Sequence, residues 1–214
     1  MTMASIRKQN LILPALALAL AWPAPAHAHL VSTGLGPVYD GIGHWASTLE
    51  DIIPVLVLGI LAGLRGAAPS RQAMFALPLS WLLGGIVGML IPTSPELSRP
   101  ILSAIIAATF LAPGLLALSD LPIPPLAVTS LAATIGLIHG FLDAGGMRGE
   151  GATTGVGILQ FLGMYVVLFV LMTLLAALVV SLRQPWMRIV ARVAGSWIAA
   201  AGLLLLGWSL RGVG

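Results

Sequence analysis

Charged residues are scarce in this sequence, and their scarcity excludes a water-soluble protein. Of the 214 residues, 58% are hydrophobic and only 8% are charged, whereas a soluble domain needs roughly a quarter charged residues to cover its surface. Long apolar blocks such as MYVVLFVLMTLLAALVVSL do not alternate apolar and polar residues, as the strands of a membrane β-barrel do. The composition therefore predicts an all-α integral membrane protein.

Cysteine is absent, which excludes disulfides, thiolate metal sites and a cysteine nucleophile. The motifs G-x-S-x-G, H-E-x-x-H and the P-loop are absent as well, so we predict a protein that is not an enzyme and that has no tightly bound cofactor. The sequence also lacks the Lys-rich run that would indicate nucleic acid binding. The expected partners are the lipid bilayer and a metal ion, and the formation of a homo-oligomer is an open alternative.

The first 28 residues have the pattern of a secretory signal peptide. Arg7 and Lys8 form a positive region, an apolar stretch follows over residues 11–22, and Ala26-His27-Ala28 fits a cleavage site. The apolar stretch is short for a membrane span, although an uncleaved first helix is the alternative reading. Cleavage would leave His29 as the new N-terminus of a single domain over residues 29–214. The α-amine and the imidazole of His29 could then bind a metal together.

Six apolar segments after the signal peptide predict six transmembrane helices. They cover residues 49–65, 73–91, 100–118, 123–142, 155–182 and 192–210. Two halves of three helices with inverted topology are a hypothesis, since such halves place binding sites at their interface in many transporters. The tryptophans, Trp81 among them, are predicted to form an interfacial belt.

Signal cleavage and the distribution of arginine together predict the orientation. The mature N-terminus would be periplasmic in the inner membrane of a bacterium, and six spans return the C-terminus to the same side. Arginines are then more numerous in the inner loops than in the outer ones, as the positive-inside rule requires. Most acids fall outside, where they would attract cations.

Two clusters of histidine and acid then fall at the same membrane depth. His139 and Asp143 are four residues apart on the fourth span, about 40° apart around its axis, so they share a face. That spacing allows three interpretations. Both side chains could bind one cation, the acid could orient the imidazole of a metal-binding histidine, or the two could form a structural hydrogen-bonded pair at the helix end. Ionisable residues in membrane segments usually mark the path of an ion or substrate.

The other cluster contains His44, Glu50 and Asp51, with Asp40 just before it. Gly41 and Gly43 argue against a continuous helix here, so a re-entrant or lid-like segment is an equal alternative. Thr48 with Asp51, or Ser47 with Glu50, also fits a helix capping box, which is a structural reading of one of the two acids.

These residues resemble the HupE/UreJ family, which consists of accessory membrane proteins of hydrogenase and urease systems that are regarded as nickel permeases. The stretch HLVSTGLGPVYDGIGHWASTLEDIIPVLVLGILAGLRG, residues 29–66, is similar to the start of a second, divergent branch of that family. The main branch has a motif H-P-x-x-G-x-D-H, which laid from His44 puts Glu50 and Asp51 at its Asp and His. A second motif, H-G-x-A-H-G-x-E, resembles H-G-F-L-D-A-G-G from His139, with Asp143 in place of the second histidine.

The resemblance implies a nickel or cobalt permease with a site that is richer in oxygen than in the main branch. We expect His44, Asp51, His139 and Asp143 to bind the ion, with Asp40, Glu50 and His29 as recruiting or supporting groups. Two alternatives remain at this point. One is a non-transporting assembly protein of a metalloenzyme system, in which the clusters only join helices. The other is an intramembrane enzyme, for which no nucleophile is evident in the sequence.

Overall fold

The computed structural model describes residues 32–91, 99–119 and 121–211, and within these ranges the regular structure is entirely helical. The described ranges contain seven helices, which confirms the predicted all-α fold. They are α1 (Pro37–Ser47), α2 (Leu49–Arg65), α3 (Ala67–Leu90), α4 (Arg99–Leu118), α5 (Pro125–Gly149), α6 (Thr154–Ser181) and α7 (Pro185–Arg211). The predicted signal peptide, residues 1–28, and His29 lie outside the described residues.

Helices α3 to α7 are each long and apolar enough to cross a membrane. A sixth span is complete if α1 and α2 are counted together, although the two are bent by 78° at the break between them. The chain is therefore a multi-pass membrane protein, as predicted. Several helices continue beyond the predicted apolar cores: α5 extends to Gly149 and α7 begins at Pro185.

The break in the first span lies at Thr48, whereas Gly41 and Gly43 lie inside α1. The expected interruption is therefore present, as a broken span or re-entrant segment, but it does not lie at these glycines, because Gly41 serves packing. A Cβ atom at Gly41 would overlap the backbone carbonyl of Gln160 on α6, and one at Gly163 would overlap the carbonyl of Val38 on α1. The two helices therefore approach each other backbone to backbone, and α1 bends away from α2 to reach α6.

Helices α3 and α5 form another close pair through glycine. A Cβ atom at Gly84 would overlap the backbone of Leu137, and one at Gly140 would overlap the carbonyl oxygen of Trp81. Small residues at helix contacts allow backbones to approach closely in membranes. This pairing fixes the position of Trp81 relative to His139, the residue that directly precedes Gly140 on α5.

Helix α2 lies at the centre of the bundle and contacts all six other described helices. Its side chains Val55, Leu58 and Leu61 are fully buried. Arg188 donates a hydrogen bond of 2.8 Å to the carbonyl oxygen of Leu64 near the end of α2, which is the end of a helix where a positive charge stabilises the macrodipole. The equivalence of two three-helix halves stays a prediction.

Candidate metal site at one end of the bundle

His139 on α5 is buried, with 2% of its surface exposed, and both of its ring nitrogens have partners on other helices. Its Nδ1 atom lies 2.9 Å from Oδ1 of Asp51 on α2, and its Nε2 atom lies 3.0 Å from Oγ1 of Thr109 on α4. The Thr109 hydroxyl donates to the carbonyl oxygen of Ile106 at 2.7 Å. It therefore acts as the acceptor of a hydrogen bond from Nε2–H.

Asp51 begins the buried part of α2 and is only 3% exposed. Its Oδ1 atom binds His139, while its Oδ2 atom is buried and receives no hydrogen bond from an N–H or hydroxyl group of the described residues. The carboxyl of Asp51 also lies within hydrogen-bonding range of the carboxyl of Asp143, a contact that requires a shared proton. The capping-box reading is wrong for this acid, because no side chain caps the start of α2. The Thr48 hydroxyl instead donates to the carbonyl oxygen of His44 at 2.9 Å.

Asp143 is held by a tryptophan. The Trp81 indole N–H donates to Oδ2 of Asp143 at 2.9 Å, and the indole ring lies 5.1 Å from the imidazole ring of His139. Trp81 is fully buried, so its assignment to an interfacial belt is wrong. The acid that orients the imidazole of His139 is accordingly Asp51, whereas Asp143 makes its hydrogen bond with Trp81.

One cavity of about 210 Å³, here called the site cavity, unites the two clusters of the sequence. Its polar walls are His44, Thr48, Glu50, Asp51, His139 and Asp143, and its apolar walls are Leu102, Ile106, Leu142 and Gly146. Asp40 is not among them, because its carboxylate accepts hydrogen bonds of 2.6 and 2.7 Å from the backbone and side chain of Thr33. The clusters thus meet at one end of the antiparallel helices α2 and α5.

The site cavity combines imidazole nitrogens with carboxylate oxygens. Asp51 and Asp143 interact electrostatically across it, and two neighbouring carboxylates repel each other unless a cation or a proton lies between them. Within the described ranges, no three His, Asp or Glu side chains already converge as ligands of one ion. A cation bound here by three of these side chains would therefore require them to move closer together.

Two residues of the site escape sequence reasoning, namely Trp81 and Thr109. Thr109 carries no signal, because threonine is common in membrane helices and its role depends on which helix faces it. Trp81 does carry one, since it lies in the middle of its apolar segment, whereas tryptophans of an interfacial belt lie at the ends.

Fold and site together define a multi-pass helical membrane protein with a buried His/carboxylate cluster at one end of the bundle. The model of the family described as HupE / UreJ protein matches residues 15–205. The chain therefore belongs to the HupE/UreJ family, as the motifs from His44 and His139 predicted. No match was found among curated proteins or among solved structures.

Proposed function

We propose that the protein is a permease that takes a divalent transition-metal ion, nickel or cobalt, from the periplasmic side of the bacterial inner membrane. The observation that carries this proposal is the pair of buried carboxyl groups of Asp51 and Asp143, which lie within hydrogen-bonding range of each other beside the site cavity, with no N–H or hydroxyl donor to Oδ2 of Asp51 among the described residues. An unpaired buried carboxylate oxygen is costly. A cation in the cavity would compensate that cost.

The available ligands support a transition metal. Imidazole nitrogen suits nickel, cobalt, zinc and copper, whereas carboxylate, carbonyl and water alone suit magnesium and calcium. His44 and His139 contribute nitrogen, and Glu50, Asp51 and Asp143 contribute oxygen. Membership of the HupE/UreJ family favours nickel or cobalt within that group. The ion is the transported substrate in this proposal, and no resident cofactor is required.

The location of the site supports uptake from outside. In the predicted orientation the site cavity opens at the periplasmic end, where Glu50 is exposed beside the buried Asp51. Exposed acids at the mouth of a cleft raise the local concentration of cations. Beyond the site, the buried side chains of α2 are apolar through Leu61, so α2 offers an ion no further polar side chain there.

Uptake of nickel and cobalt by cells that express His139→Ala or Asp143→Ala tests the proposal. We expect each variant to lose most of the uptake, because each removes a ligand that faces the cavity. Asp40→Asn is the matched control, since it neutralises an acid at the same end that does not border the cavity, and it should retain uptake. Undiminished uptake in both site variants, at equal amounts of protein in the membrane, would refute the permease.

The alternative is an assembly protein without transport, in which the polar cluster only joins helices. The hydrogen bonds of His139 with Asp51 and Thr109, which connect three helices, favour this reading. It predicts that His139→Ala lowers the thermal stability and leaves metal uptake at the level of cells without the protein in wild type and variant alike.

A further inference from the structure

Neither ring nitrogen of His139 is free to bind an ion in this conformation. Its Nδ1 contact with Asp51 is the arrangement found around metal-binding histidines, which almost always direct their second nitrogen at a carboxylate, a carbonyl or water. Its Nε2 contact is a hydrogen bond to the neutral hydroxyl of Thr109. Because hydrogen bonds to charged groups are the stronger ones, the Thr109 contact is the one that an incoming cation can displace.

Thr109 can release the imidazole at low cost. It is buried, and its hydroxyl donates to the carbonyl oxygen of Ile106 on its own helix at 2.7 Å. This bond does not depend on His139, so the hydroxyl keeps its acceptor when the imidazole turns to another partner. The threonine therefore leaves no unsatisfied donor behind.

The helices that carry the two residues are otherwise weakly joined. Helix α4 packs mainly against α7 and α2, and helix α5 packs mainly against α3. A wholly apolar cleft of about 410 Å³ borders both helices, lined by Ile105 on α4 and by Ile138 and Phe141 on α5. Among the described residues, the Thr109–His139 contact is the one hydrogen bond that joins α4 to α5.

We propose that Thr109 acts as a latch, which means that its hydroxyl holds Nε2 of His139 while the site is empty. The transported ion displaces the hydroxyl from Nε2 when it binds. The His139–Asp51 pair holds one proton between Nδ1 and Oδ1, and Nε2 carries another that it donates to Thr109. The ion takes the place of the Nε2 proton, which leaves through the site cavity to water, and the other proton stays on Nδ1 and donates to Asp51. Loss of the latch loosens the contact between α4 and α5 beside the apolar cleft. This inference rests on the proposed function, and it makes Thr109 a positioning residue rather than a ligand.

Calorimetric titration of nickel into the purified full-length protein in lipid nanodiscs tests the latch. Thr109→Val removes the hydroxyl and keeps the shape, so the ion no longer has to break a hydrogen bond, and we expect nickel to bind about fivefold more tightly. Thr109→Ser restores the hydroxyl and should bind nickel within about twofold of the wild type. Equal or weaker binding by Thr109→Val overturns the latch, whereas a wild type that binds no metal overturns the proposed function together with it.

A crosslinking experiment tests the same proposal without relying on affinity. The natural chain has no cysteine, so the pair Ile105→Cys and Leu137→Cys reports on α4 against α5 with no background. The pair Val87→Cys and Leu137→Cys, with its cysteines on α3 and α5, is the control. We expect nickel to lower crosslinking by a short bis-maleimide in the first pair only, and Thr109→Val to lower it without nickel. Equal crosslinking with and without nickel in both pairs would contradict a latch between α4 and α5.

Discussion

At the scale of single residues, the site depends on hydrogen-bond partners on other helices that hold its ionisable groups in place. The Trp81 indole fixes one oxygen of Asp143, and Asp51 fixes the imidazole of His139. Each of these contacts joins two different helices. These partners therefore determine how the side chains of Asp143 and His139 are oriented at the site cavity.

Trp81→Phe removes the donor to Asp143 and retains an aromatic ring. We expect the free energy of unfolding to fall by about 1–3 kcal/mol, because a buried carboxyl group loses its hydrogen bond. Trp45→Phe is a matched control, since Trp45 is similarly buried and its Nε1 atom has no partner among the described residues. Thermal unfolding in detergent should show a clearly larger loss for Trp81→Phe; equal losses would mean that the bond to Asp143 contributes nothing.

The charged residues of the site could be predicted from the sequence, whereas their partners could not. His139, Asp143 and Asp51 are conspicuous because ionisable groups are expensive in apolar helices. Which acid contacts His139 depends on the register of α2 against α5. The two residues in contact, Asp51 and His139, are 88 positions apart in the sequence. Spacing along one helix suggested Asp143 instead, because local geometry is the only geometry that a sequence displays directly.

At the scale of helices, glycines determine how the pairs approach. Gly140 sits against the carbonyl oxygen of Trp81 and thereby places the indole beside the site. The hydropathy pattern predicted the six apolar cores, since membrane thickness limits their length. It missed the helix ends in α5 and α7, because hydrogen bonding along the backbone continues where the side chains become polar.

Gly140→Ala should therefore disrupt the contact between α3 and α5. The new methyl group meets backbone, which cannot rotate away, and overpacking of this kind typically costs about 1–3 kcal/mol. Gly207→Ala is the control, because a Cβ atom there has no neighbour within 4 Å and alanine favours a helix more than glycine does. Thermal stability in detergent should fall for the first variant and hold or rise for the second; the reverse order would refute the packing argument.

At the scale of the whole molecule, the site lies at one end of a bundle whose centre is α2. The structure brings the start of α2 and the last turns of α5 together, which agrees with the same membrane face that six alternating spans give to both ends. Which membrane face this end occupies is a prediction from the signal peptide and the arginines. That side decides whether the site cavity receives ions from the periplasm.

Single cysteines can test this orientation, because the natural chain has none. Thr33 and Gln184 are both exposed and lie in the segments before α1 and between α6 and α7. We expect Thr33→Cys to react with an impermeant maleimide in intact spheroplasts, and Gln184→Cys to react only after the membrane is opened. Labelling of Gln184→Cys in intact spheroplasts would reverse the orientation and with it the direction of uptake.

The central claim is that the two clusters form one binding site for a transition-metal ion. Its most direct test is a calorimetric titration of nickel, cobalt, zinc and copper into the purified protein and into Asp51→Asn, His139→Gln and Asp40→Asn. We predict that the wild type and Asp40→Asn each bind nickel or cobalt at one saturable site. In Asp51→Asn and His139→Gln the affinity should fall by at least about tenfold. A wild type that binds none of the four metals, or full affinity in both Asp51→Asn and His139→Gln, would contradict the claim.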